Sequence, residues 1–421
     1  MIGSFQVFIP LMSIPQYARP VGLTALTLAA CAICAAQGGP LDYPQWRGRN
    51  RDGSASNFIE PARWPDILTR RWRVQVGEGY ATPLVVGDTV YVFSRHGERE
   101  ILSAIDAATG AERWQTGYVA PYTPSSPTAG HGSGPKATPL FQDGRIITLG
   151  IGGVVAAFDA ERGTLLWRTP DPVEVPFFSA ASSPVGEGPL IFLHPGNYGP
   201  LTAFVAASGK VAWSAGDDGF FMPPTIATLQ GTRQVVSVTQ AAAIGVSVDN
   251  GRLIWEYPWI GGRSGGIMPI LSGDALILSA HSAGVVAIRP RLDNGSWVVE
   301  KAWETPTVEM YISHPVVVGD TLFGFSRRAS GQLFALDVRD GRVLWLGEPR
   351  FATNVAFATT GDLLFILKDD AELILAKANP SRFEPLKAYE VAESPTWAQP
   401  VISGRRLFVK DVSTLTLWTF E

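Results

Sequence analysis

The chain has 421 residues, a formal net charge of −4 and only 17 % charged residues, against 44 glycines, 32 prolines and 13 tryptophans. This composition suits an all-β protein rich in tight turns. The absence of any Lys/Arg run argues against nucleic acid or an anionic membrane as its main partner. The length would hold two or three ordinary domains, but radial repetition lets one toroid absorb it.

Residues 1–36 read as an export signal. Arg19 precedes an apolar stretch, residues 21–30, followed by small residues up to Gln37. That run is too short for a transmembrane helix with stop-transfer flanks, so no transmembrane span is expected. Met12 offers a second start that leaves a signal of ordinary length. Both cysteines, Cys31 and Cys34, lie here. Cleavage after Ala36 leaves a cysteine-free chain beginning at Gln37. Alternatively, Leu28-Ala-Ala-Cys31 resembles a bacterial lipobox, which makes Cys31 a lipidated amino terminus. Either route predicts an exported protein, periplasmic, secreted or lipid-anchored, that folds without disulfides.

Residues 37–69 form an irregular polar lead-in without a period of 2 or 3.6. From Arg70 to the C-terminus, residues 70–421, one pattern recurs about every forty residues, the signature of a propeller blade. Its first anchor is a proline that opens the first strand: Pro83, Pro139, Pro184, Pro224, Pro269, Pro315 and Pro400, with Phe357 in the seventh copy. A blade's innermost strand is an edge facing a water-filled channel, so losing an N–H there costs little. The second anchor is Gly-x-x-x-Trp between the third and fourth strands: Gly110/Trp114, Gly163/Trp167, Gly209/Trp213, Gly251/Trp255 and Gly341/Trp345, while Trp303 lacks the glycine. Asp106, Asp159 and Asp337 precede their glycines by four residues and can close the turn. The tryptophans read as wedges between neighbouring blades. The eighth copy stops after three strands, and residues 70–76 are an orphan fourth strand with Trp72 in the repeat position. Pairing the two closes the ring and removes both exposed edges. The fold expected is therefore all-β, an eight-bladed propeller of four-stranded antiparallel blades.

Ala104-Ile-Asp-Ala-Ala-Thr-Gly-Ala-Glu-Arg-Trp114 resembles the repeat of the pyrroloquinoline-quinone (PQQ)-like propellers, a superfamily that includes quinoprotein alcohol dehydrogenases and BamB-like outer-membrane-assembly lipoproteins. His131-Gly-Ser-Gly-Pro-Lys-Ala-Thr-Pro139 and Thr396-Trp-Ala-Gln-Pro-Val-Ile-Ser-Gly404 are similar to stretches of exported PQQ-like repeat proteins of acidobacteria and planctomycetes. The resemblance is specific for fold. Quinoproteins of this fold carry a vicinal disulfide against the quinone, a calcium held by carboxylates and amides, and a catalytic aspartate. No cysteine follows Cys34 here, and no ligand or aspartate carries over. A quinone lacking those supports lacks the tuning that makes it reactive.

Other chemistry is sparse. Walker and His-Glu-x-x-His motifs are absent, and Gly261-Gly-Arg-Ser-Gly-Gly266 joins two strands, so it is no phosphate cradle. Asp369, Asp370 and Glu372 form a carboxylate cluster able to bind calcium, which also reads as a solvated loop. No catalytic residue and no metal ligand is assigned. The polar residues fall unevenly. Loops between second and third strands and connections between blades emerge on one face, and all five histidines map there: His96, His131, His194, His281 and His314. Arg95, Lys136, Arg263, Arg327, Arg328, Lys368, Asp369, Lys410 and Asp411 join them. The other face carries short turns such as Gly87-Asp88 and Gly319-Asp320. Function on such scaffolds sits on loops carried by rigid sheets.

The residues point to an exported binding or scaffolding module, with no cofactor, whose partner is an envelope protein, as in outer-membrane assembly. The reading from another class is an oxidoreductase of alcohols or sugars holding PQQ with calcium over the channel mouth. Polymer binding through Tyr118, Tyr122, Phe177 and Phe178 is a third.

Overall fold

A computed structural model describes residues 39, 41–55, 58–174, 176–196, 198–216, 219, 221–259, 261 and 265–421. The export signal, Cys31 and Arg263 lie outside them. Eight four-stranded antiparallel sheets make up the ring. In chain order the blades occupy residues 84–119, 140–168, 185–215, 225–258, 270–305, 316–346, 355–390 and, for the eighth, 401–419 together with Thr69–Gln75. The proline that opens most blades has no N–H, so the ladder starts after it and the first strand is often only three residues, as in Leu84–Val86 and Val316–Val318. In the seventh blade, where Phe357 replaces the proline, the first strand lengthens to Val355–Thr360.

The apolar core is divided into eight clusters, each lying between two neighbouring blades. The repeat tryptophans belong to these seams, and most follow one rule. The indole lies over the turn glycine of the next blade and donates Nε1–H to a carbonyl of that turn. Trp167 donates to Ala206 at 2.9 Å, Trp213 to Val248 at 3.0 Å and Trp303 to Val338 at 2.9 Å. Trp72 does the same across the closure, to Ala107 at 3.2 Å. The turn needs glycine for two reasons. Gly209 has φ +68°, and a Cβ there would meet the Trp167 ring at 2.4 Å. Asp106, Asp159 and Asp337 each accept backbone N–H groups of their turns.

Three tryptophans depart from the simple wedge, two of them, Trp255 and Trp345, because the neighbouring turn has no glycine in that position. Blade five lacks the glycine, and Trp255 of blade four turns to Gln234 of its own sheet. At the seam after Trp114, the Ala160 carbonyl accepts from Tyr91 Oη at 2.9 Å instead. Trp345 keeps its place in the seam between blades six and seven without a glycine to lie on. Blade seven has no glycine in the corresponding turn, which widens to residues 378–383. The Trp345 ring is partly buried, as those of Trp114 and Trp167 are, and it lies between Phe323 of its own blade and Phe383 of the next, centroids 6.2 and 6.3 Å away. It keeps the polar half of the contact, donating Nε1–H to the Asn379 carbonyl at 3.0 Å.

Thr69–Gln75 pairs antiparallel with Thr414–Thr419, Arg70 opposite Trp418, and forms the outermost strand of the eighth blade. The ring is closed by the two halves of one sheet. Lys410 fastens this seam from inside. Its fully buried ammonium donates to the carbonyls of Gly77, Gly79, Asp411 and Val412 at 2.7–3.3 Å.

The sequence suggests a water-filled channel, and the structure corrects this by placing part of the lead-in inside it. Residues 43–55 enter the channel from the short-turn face and plug it. Tyr43 bridges to Val85 on one side and Ser54 to Thr359 on the other. Arg47 and Arg51 are buried. Arg47 donates to the carbonyl of Pro315, and Arg51 to those of Pro184 and Pro224 at 3.0 and 3.2 Å. These are carbonyls of the anchor prolines, which face the axis because no inner strand covers them.

Gly209→Ala should lose about 2 kcal/mol or more, from strained φ plus the Trp167 clash. Gly188→Ala, at φ +54° with no atom within 4 Å of the new Cβ, carries only the backbone term, about 1 kcal/mol. Paired thermal melts check this; equal losses would mean the glycines answer to φ alone.

Candidate functional site

On the face opposite the plug, the chain approaches each first strand in extended form, so alternate residues turn towards the axis. Counting back from the anchor proline, the residue three positions earlier lines one cavity in every blade: Tyr80, Lys136, Ala181, Phe221, Gly266, Ile312, Asn354 and Trp397. The cavity has a volume of about 370 Å³. Its floor is Trp46 of the plug, set edge-on to His314 at 4.5 Å.

The residue just before the proline stitches the inner rim. Gln399 N–H donates to Thr82 Oγ1 at 3.0 Å, Thr82 N–H to Thr138 Oγ1 at 3.2 Å, and Thr138 N–H to Ser183 Oγ at 3.0 Å. His314 holds the same position in blade six. Its Nε2 accepts from Met268 N–H and its Nδ1–H donates to the Ile312 carbonyl, both at 2.9 Å. Burial and the nearby Arg47 charge push its pKa well below the usual histidine range. It is a neutral, structural imidazole.

The electrostatics of the funnel are one-sided. Lys136 has no ion pair or hydrogen-bond partner among the described residues, and burial lowers its pKa to about 8. His131, half-buried, packs edge-on to Trp397 at 4.5 Å, and burial followed by the Lys136 charge lowers its pKa. Beneath the floor, the guanidinium carbons of Arg47 and Arg51 lie 6.0 and 5.7 Å from the Trp46 ring. Burial, then the charge of Arg47, brings Arg51 down to about 9. No Asp or Glu lines the cavity among the described residues.

Of the sequence-derived candidates, the funnel gathers His131, Lys136 and His314. The rim carries a second group. His281 Nδ1 and Arg328 Nε both lie 3.3 Å from the carboxylate of buried Glu309, and Arg327 sits over the Tyr311 ring at 5.1 Å. His96 is exposed, with Nε2 3.1 Å from the Val76 carbonyl. Four others are not presented to solvent. His194 is buried, bonded to Gly199 and Ser237, and burial lowers its pKa to about 4. Lys410 serves the seam, Asp411 caps residues 413–414, and Arg95 is buried against the Ala120 carbonyl. Tyr118 is also no exposed platform; it lies in the strand Glu112–Val119, buried, donating to Glu100 at 2.7 Å. Tyr122 is half-buried, whereas Phe177 and Phe178 are exposed.

The acidic cluster is neutralised by its neighbour rather than arranged for calcium. Lys368 Nζ lies 2.9 Å from Asp370 and 2.8 Å from Glu372, and Asp369 accepts from Asn354 N–H at 3.1 Å. No cluster of three or more metal-ligating side chains occurs among the described residues. A calcium–quinone pair does not fit the funnel either. Calcium takes hard oxygen ligands that include carboxylates, and the lining offers amides, engaged hydroxyls and an ammonium. Motif reading missed Glu309, Tyr311 and Trp46; aligning the repeats on the proline and reading the column three residues earlier finds the wall.

A family model described as outer membrane protein assembly factor BamB matches residues 98–346. The outer membrane protein assembly factor BamB of Shewanella oneidensis is 26 % identical over 261 residues, covering 56 % of this chain and 62 % of that relative, less than two thirds of its length. Among solved structures, BamB from Moraxella catarrhalis aligns with a TM-score of 0.60 at 16 % identity, over 84 % of this chain and 98 % of its own. Quinohemoprotein alcohol dehydrogenase from Comamonas testosteroni aligns at 0.62 and 14 % identity, over 92 % and 82 %. At such identities both likenesses show the fold. No described helix is long and apolar enough to cross a membrane.

Lys136 should be half-deprotonated near pH 8, whereas Lys301 and Lys377, raised by Glu304 and Asp362, stay protonated there. Acylation with a limiting amine reagent across pH 6–10, read by peptide mass spectrometry, tests this. Reactivity of Lys136 that rises only with the other lysines would refute it.

Proposed function

The chain belongs to the outer membrane protein assembly factor BamB family, and from that premise we propose that it is an exported, non-catalytic scaffold of the cell envelope. Its partner is an envelope protein, engaged through loops on the funnel face. The family match across residues 98–346 carries this reading. The asymmetry of the ring supports it. One mouth is stoppered by residues 43–55, and the other gathers the longer connections with Arg327, Arg328, His281 and Glu309 at the rim.

Arg327 is the rim charge to test, because it is exposed and contacts only a ring, whereas Lys368 is spent on Asp370 and Glu372. Arg327→Glu should leave the melting temperature nearly unchanged and lower partner capture from an envelope fraction about 3- to 10-fold at low salt, since rim charges act on association. Asp320→Ala on the short-turn face is the control. Equal losses from both would rule out the one-face reading.

Export places the mature amino terminus at Gln37, or at a lipidated Cys31. Intact mass of protein recovered from the envelope separates the two, and a full-length cytoplasmic chain refutes both.

A further inference from the structure

We propose that the funnel binds a small organic anion, its carboxylate or phosphate group set against Lys136 and its apolar body held between the Trp397 and Tyr311 walls. The eight-residue column that builds the wall is otherwise neutral: tyrosine, alanine, phenylalanine, glycine, isoleucine, asparagine and tryptophan, with one lysine. An ammonium drawn partly out of water without a counter-charge is disfavoured. Lys136 has none among the described residues, and the buried guanidiniums of Arg47 and Arg51 add positive potential from below the floor. An anion would supply the missing counter-charge in a site that excludes much of the solvent.

The walls set the rest of the ligand. Tyr80, Trp397 and His131 pack as one aromatic surface, with ring centroids 6.3 and 4.5 Å apart. Phe221 and Tyr311, centroids 6.4 Å apart, form the other. The volume of about 370 Å³ lies at the small end of the range for ligand pockets. Gln399, whose buried Oε1 has no partner, gives a polar group to orient the ligand. The plug closes the far end, so the site is a blind cup rather than a passage. The inference goes beyond scaffolding and is independent of it, because partner capture is read at the rim.

Isothermal titration of the purified protein at pH 7 tests it with benzoate and phenyl phosphate as anions, benzamide as the uncharged isostere and inorganic phosphate as a head group alone. At least one aromatic anion should bind roughly tenfold tighter than benzamide and than inorganic phosphate, and the tighter of the two identifies the head group. Lys136→Gln should bring that anion down to the benzamide level while raising or preserving thermal stability, and Lys136→Arg should retain binding. Should Lys136→Gln fail to fold, protection of Lys136 from acylation by the bound anion in the unaltered protein gives the same answer. Benzamide binding as tightly as the anions, Lys136→Gln leaving affinity unchanged, or no heat from any probe would each overturn the proposal.

Discussion

The contact on which this structure depends is an indole of one blade lying on a glycine of the next. A single four-stranded sheet has two faces to cover and no helix to cover them. Every blade therefore relies on its neighbour, and the apolar core takes the form of eight seams. The tryptophan fills the seam, its N–H satisfies a carbonyl that the turn leaves free, and the glycine makes room for the ring. Because the contact always points from one blade to the following one, it can be satisfied throughout only if the ring closes. Trp72 over Gly110 is where that happens.

Much of this was legible in the chain because repetition separates signal from noise. A glycine four residues before a tryptophan means little once and a great deal five times. The proline anchor, the truncated last copy and the orphan strand with Trp72 lead to an eight-bladed ring without any coordinates. The exception at Trp303 was legible as an exception; its effect on Trp255, which turns to its own blade, was not, because that effect belongs to a pair of blades rather than to a copy. Trp345 teaches the same point. Its own copy carries the full glycine–tryptophan anchor, yet its ring meets Phe383 rather than a glycine, because the turn it faces belongs to blade seven, which has none.

The site was less legible, for physical reasons. Loop position says on which face a residue emerges and not whether its side chain reaches water. His194 and Lys410 emerge on the expected face, yet each finds enough hydrogen-bond partners to be buried. His314 reads from the sequence as a binding-face residue at the start of a first strand, but it substitutes for the threonine and serine hydroxyls that stitch the rim elsewhere. The lead-in was the largest omission. Residues 43–55 have no periodicity because their partners are backbone carbonyls of the surrounding first strands, a pattern that depends on the ring already existing.

That same lead-in changes how the molecule would carry a mechanical load. In the closing sheet, Thr69 lies beside Thr419 and Gln75 beside Thr414, so tension applied just before Thr69 against the neighbouring strand would peel the pair open one bond at a time. Peeling is the weak direction for an antiparallel pair, since bonds fail in sequence rather than together. Tension arriving from before residue 43 meets a different arrangement. It must first draw Arg47 and Arg51 away from three separate blades, where several hydrogen bonds and two desolvated charges resist at once. The plug thus acts as a strain relief, isolating the closing sheet from tension that arrives through the amino-terminal segment.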